Sequence, residues 1–141
     1  MKRRDAREAA MLLIFEKSFR EESMQEIIED AVDSRALEFD DYSKSLVLKA
    51  EDNAEDIDYY IEKYLDKWKL NRLPRVTLSV LRLAICELRY FEDIPVKVTI
   101  NEAIEIAKKY ATEDDASYIN GVLGSYVREN APVKKEEAIK E

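Results

Sequence analysis

INEAIEIAKKYATEDDASYINGVL, residues 100–123, sets two glutamates, two lysines, three further acids and an Asn-Gly pair within two dozen positions. Ala103, Ile104, Ala107 and Tyr110 recur at spacings of three and four, the period of one helix face. Glu102 and Glu105 fall near its N-terminus, Lys108 and Lys109 near its C-terminus, and Glu105 precedes Lys109 by four. Helix dipole and side-chain pairing both favour that order. Thr99 with Glu102 has the pattern of a capping box at its start. Asp114 or Asp115 then caps a further helix that turns Ile119, Val122, Leu123, Tyr126 and Val127 inward. Gly121 inside that helix costs up to about 1 kcal/mol relative to Ala, which predicts close approach by another backbone there. The stretch is a helix pair, and helix stabilisation accounts for its charges without chemistry.

Upstream, the same period continues. RVTLSVLRLAICELRYF, residues 75–91, places Val80, Leu81, Ala84, Leu88 and Phe91 on one stripe, predicting a central core helix that starts at Pro74. Arg75, Arg82 and Arg89 fall seven apart on another stripe. They could grip phosphates, or pair with acids of a neighbouring helix; the pattern allows both equally. Before it, Ile57, Tyr60, Ile61, Tyr64, Leu65 and Trp68 mark an amphipathic helix with a fresh cap at Asn53. Another helix starts near Asp40, and SMQE at Ser23 is a capping box for a short helix through about Asp33. The first helix spans about Arg3 to Arg20, and AAMLLIF with Phe19 makes it apolar almost all round and deep in the bundle. Arg3, Arg4 and Arg7 share one side of its first turns, where positive charge opposes the dipole by a few tenths of a kcal/mol. That arrangement suits an external anion.

Composition fits helices throughout. The chain has 141 residues, 46% hydrophobic and 38% charged, with two Gly and three Pro. This is the length of one domain able to bury roughly 70% of its unfolded surface. We expect a single helical domain over residues 1–131 and a frayed, solvated tail over 132–141. The chain has no His and one Cys, so no His-based triad, Cys/His zinc site or Glu-x-x-His di-iron helix can be built. Two glycines cannot make a P-loop or a dinucleotide-binding turn. No cofactor or metal is expected, and no enzyme. The lone Cys86, acids at Asp5, Glu8 and Glu16 in the N-terminal segment, and the lack of any ~20-residue apolar run point to a cytoplasmic protein without a membrane span.

The net charge is −8, but it is uneven: residues 1–20 carry +3, residues 21–66 carry −12, and residues 67–111 carry +4. A polyanion responds to the local potential, which salt confines to about 10 Å. Tyr118 with Asn120 falls off the inward stripe, and such a pair can stack on and hydrogen-bond a splayed RNA base; a tyrosine packed on a loop is the equal alternative.

Three stretches in order, RRDARE, VLRLAICELRY and IPVKVTINEAIEIAKKY with YINGVL, resemble the NusB family of bacterial transcription antitermination factors. The resemblance covers most of the chain. It implies an all-α bundle of about seven helices in two packed subdomains. It also implies a non-enzymatic role: binding boxA RNA together with NusE, a ribosomal protein that acts in transcription. The pair would join the RNA polymerase antitermination complex and promote readthrough of ribosomal RNA operons. Carried onto this chain, the arginine-rich motif falls on Lys2, Arg3, Arg4 and Arg7. Arg82 and Tyr118 extend the RNA surface, and Asp114 is an acid beside it that tempers affinity. The protein partner would dock around Arg72, Arg75, Val76, Thr77 and Leu78. Some members self-associate and bury the arginine motif, which leaves a homodimer open. Asp5 in the basic run, Cys86 and Gly124 depart from the common pattern. Two other functions compete: a helical protein-interaction module without RNA selectivity, and a relative of the helical domain fused to RNA methyltransferases. The missing glycines argue against the latter.

Overall fold

Short polar side chains set three of the helix starts in this chain, and prolines precede two others. The computed structural model describes residues 1–66 and 69–130, so Trp68 and the tail lie outside the described residues. Seven α-helices and one 3-10 turn are present among them: α1 (Arg3–Lys17), α2 (Met24–Arg35), α3 (Asp41–Asp52), α4 (Ala54–Lys63), the turn Leu70–Arg72, α5 (Arg75–Tyr90), α6 (Val96–Tyr110) and α7 (Glu113–Asn130). Ser23 accepts from the Glu26 backbone N–H at 3.1 Å, as its sequence pattern requires, and Asp40, near which the sequence predicts a helix start, accepts from that of Ser43 at 2.8 Å.

Other starts differ from expectation. Asn53 divides α3 from α4, but its side-chain amide donates back to Lys49 O at 2.9 Å and so closes α3 rather than capping α4. Thr99 is not a cap: α6 begins three residues earlier, after Pro95, and Thr99 is buried inside it. Thr112 caps α7, its hydroxyl accepting from the Asp115 N–H at 3.0 Å while the Asp115 carboxylate accepts from the Thr112 N–H at 3.3 Å.

The long stripe of residues 75–91 does form the central element. α5 buries Leu78, Ser79, Val80, Leu81, Leu83, Ala84, Ile85, Cys86, Glu87 and Leu88, so it is covered nearly all round. α1, α2 and α3 pack together on one side, α4, α6 and α7 on the other, and α5 touches α1 and α3 as well as α4, α6 and α7. These are the two helical groups that the family resemblance implies. Fully buried Met11, Leu13, Ile27, Leu46, Ile57, Ile61, Ile119 and Tyr126 fill the core between them. At about 1.5–3 kcal/mol per large apolar side chain, this burial dominates the gross stabilisation.

Two packing expectations fail. Phe19 lies beyond the end of α1 and is 62% exposed, because the helix stops at Lys17. A Cβ built on Gly121 would meet nothing within 4 Å, so no backbone approaches it; the residue is simply on the solvent side of α7.

Candidate nucleic-acid interface

The start of α1 carries four basic residues, and the fold treats each differently. Lys2 and Arg3 are exposed and meet no carboxylate within ion-pair distance among the described residues. Arg4 forms a two-pronged contact with Glu102 of α6, Nε at 3.0 Å and Nη2 at 2.7 Å. The Arg4 guanidinium holds the Glu102 carboxyl below its usual range. Arg7 is buried. Its Nε reaches both oxygens of Glu87 on α5 at 3.1 and 2.9 Å, with the two side chains 5% and 1% exposed. This corrects the expectation that Arg7 shares an outward face with Arg3 and Arg4: its side chain turns beneath the helix to a buried carboxylate.

Glu87 is the hub of that interior network. Thr99 Oγ1 donates to it at 2.7 Å, and the Tyr42 hydroxyl donates to its other oxygen. Four helices therefore converge on one carboxylate: α1 through Arg7, α3 through Tyr42, α5 itself and α6 through Thr99. A buried charge survives only when paired and saturated with hydrogen bonds, and here both oxygens are. Above it, the Arg3 guanidinium lies 3.8 Å over the Tyr42 ring.

The opening stretch finds its use here. Glu102 takes Arg4, and Lys109 reaches both oxygens of Glu8 at 2.9 Å while the Tyr110 hydroxyl donates to the same group. Its charges stitch α6 to α1.

The remaining expected site residues divide between engaged or buried positions and exposed ones. Arg82 is held by Asp58 of α4 through two bonds of 2.9 Å. Arg89 pairs with Asp56 at 3.2 Å and lies 3.9 Å over Tyr60, so two members of the arginine row serve neighbouring helices. Tyr118 is half-buried against the core with its hydroxyl enclosed, and burial raises the phenol's pKa. The packed-tyrosine alternative describes this conformation. Asp114 and Asn120 are exposed on α7. Of the partner-docking residues, Arg72 and Arg75 are exposed and Val76 is half-buried. Thr77 and Leu78 are 1% and 3% exposed and face inward, which corrects their assignment to an outer surface. Sequence reasoning missed Tyr42 and Glu87, although a lone glutamate on the apolar stripe-bearing helix was a visible signal.

An all-helical bundle with exposed cations at its N-terminal corner has the features of a binding factor. Comparison with known proteins fixes which kind. Residues 4–128 match the model of the NusB family. The transcription antitermination protein NusB of Natranaerobius thermophilus is 44% identical over 128 residues, covering 87% of this chain and 92% of that protein. NusB of Clostridium novyi is 42% identical over 91% of this chain and 99% of that one. A structure of T. maritima NusB superposes with a TM-score of 0.84 at 38% identity over 100% of this chain and 99% of that one. A crystal structure of antitermination factors NusB and NusE in complex with double-stranded RNA matches with a TM-score of 0.81 at 30% identity, covering 90% and 96%. The chain belongs to the NusB family.

Proposed function

We propose that this chain is an RNA-binding transcription antitermination factor that binds boxA-type RNA together with NusE and promotes readthrough of ribosomal RNA operons. The likeness to the NusB–NusE–RNA complex over nine-tenths of the chain is the observation that carries this function. The unpaired cations at the start of α1 supply a physical basis for it. Lys2 and Arg3 contact phosphates directly, and Arg4 joins them when a phosphate displaces Glu102. Asn120 and Asp114 flank the path on α7, one donating to RNA and the other limiting affinity by repulsion. Arg72 and Arg75 contribute to the NusE surface. The work is done in the cytoplasm, on the RNA polymerase complex. No described helix is long and apolar enough to cross a membrane.

Fluorescence anisotropy of labelled boxA RNA, with and without NusE and against a scrambled RNA, tests the proposal. Selective binding that NusE strengthens is expected. Equal binding of both RNAs, or no response to NusE, would leave a helical protein-interaction module instead. Light scattering on the same samples reads whether the free chain is a homodimer.

A further inference from the structure

We propose that Tyr42 is a positioning residue for RNA: fixed by Glu87, its ring holds the Arg3 guanidinium in the orientation that grips a backbone phosphate. The inference rests on the RNA-binding function proposed above and adds the first turn of α3 to its machinery. Arg3 is the one arginine of the N-terminal group without a carboxylate partner among the described residues, yet it is not loose. Its Cζ sits 3.8 Å over the Tyr42 ring. That ring is itself fixed from several directions: its hydroxyl donates to buried Glu87, it meets Phe91 in a T-shaped contact at 5.6 Å between centroids, and Arg7 Cζ lies 5.8 Å from its centroid.

A guanidinium stacked on a ring keeps its N–H donors free at the rim, in one plane, where they match two oxygens of a phosphate. Stacking also removes part of the side chain's rotamer freedom before the ligand arrives, which lowers the ordering cost of binding. A lysine at the same place would supply equal charge but neither the plane nor the fork. The cleft continues past Tyr42 along Arg89, Tyr90 and Phe91 and ends at Glu92 and Asp93, so acids bound the aromatic stretch on the side away from Arg3.

The test is a double-mutant cycle read by RNA affinity and its salt dependence, using the full chain with NusE. Arg3→Lys should weaken binding about two- to fivefold while leaving the salt slope unchanged, because the charge is kept. Tyr42→Leu should cause a similar loss, and adding Arg3→Lys to it should cost nothing more. Losses that multiply independently, or Arg3→Lys binding as tightly as the unaltered chain, would overturn the positioning role. Arg3 is exposed, so the second criterion stands even where Tyr42→Leu disturbs folding. An unaltered chain that bound no RNA would overturn the RNA function itself, and that is seen before any variant is made.

Discussion

Glu87 sits on the central helix with 1% of its side chain exposed, and the residues around it decide what the N-terminal arginines can do. Removing one partner of a buried pair leaves an uncompensated charge. Arg7→Ala should therefore lower the free energy of unfolding by about 3–5 kcal/mol, measured by urea denaturation. A loss below 1 kcal/mol would mean that the pair is solvated. The effect of Arg7 on RNA is then indirect, through the fold. Cys86 gives an independent check on the same interior. Burial pushes its thiol up to about 12, and its Sγ faces Leu46 O at 3.7 Å. A thiol reagent at pH 8 should label it only after unfolding. Labelling of the native chain at the rate of a free thiol would show that α5 opens readily.

Among the elements, the caps carry the most direct consequences. The Ser43 backbone N–H holds the Asp40 carboxyl below its ordinary range, so Asp40 stabilises α3 above about pH 3.8, and this is lost as pH falls through the lowered value. Asp40→Ala should cost about 0.5–2 kcal/mol at pH 7 and less at pH 3; a pH-independent cost would remove the cap from the account. At the other end of α2, Ala36 adopts φ 53°, the left-handed conformation, while Leu37 N–H closes on Ala31 O at 3.0 Å. Ala36→Gly should raise stability by about 1 kcal/mol, since glycine adopts this conformation without the side-chain penalty. An unchanged melting temperature would place the strain elsewhere. The capping box at Ser23 and the helix start near Asp40 were legible because the bonds are local. Thr99 with Glu102 has the same spacing, but tertiary partners claim both: Glu87 takes the hydroxyl and Arg4 the carboxylate. Spacing cannot distinguish a cap from a tertiary bond.

Across the whole molecule, hydrophobic period was enough to mark the helices and the central role of residues 75–91, because core packing follows that period. Charge roles were less legible. Arg3, Arg4 and Arg7 look alike in sequence, yet one stacks on a tyrosine, one pairs at the surface and one is buried. The difference lies in α3, α5 and α6, far away along the chain. The same holds for Arg82, which Asp58 occupies. These pairs also set the acid response. Arg4 lowers the Glu102 pKa, so the link between α1 and α6 is present above about pH 4.5 and is lost as pH falls through the lowered value. Glu102→Gln should remove that part of the acid sensitivity in thermal melts between pH 3 and 7, while tightening RNA binding at neutral pH by freeing Arg4. Weaker RNA binding by this variant would show that Glu102 supports the interface rather than competing with the phosphate.

We propose that the unpaired cations at the start of α1, not the paired arginines of α5, meet the RNA. The measurement that tests it most directly is the slope of binding affinity against salt concentration for the unaltered chain, Arg3→Ala and Arg82→Ala, each with NusE. Arg3→Ala should reduce the slope by nearly one unit and Arg82→Ala should leave it unchanged. The opposite pattern would mean that Arg82 leaves Asp58 to bind phosphate and that the start of α1 does not.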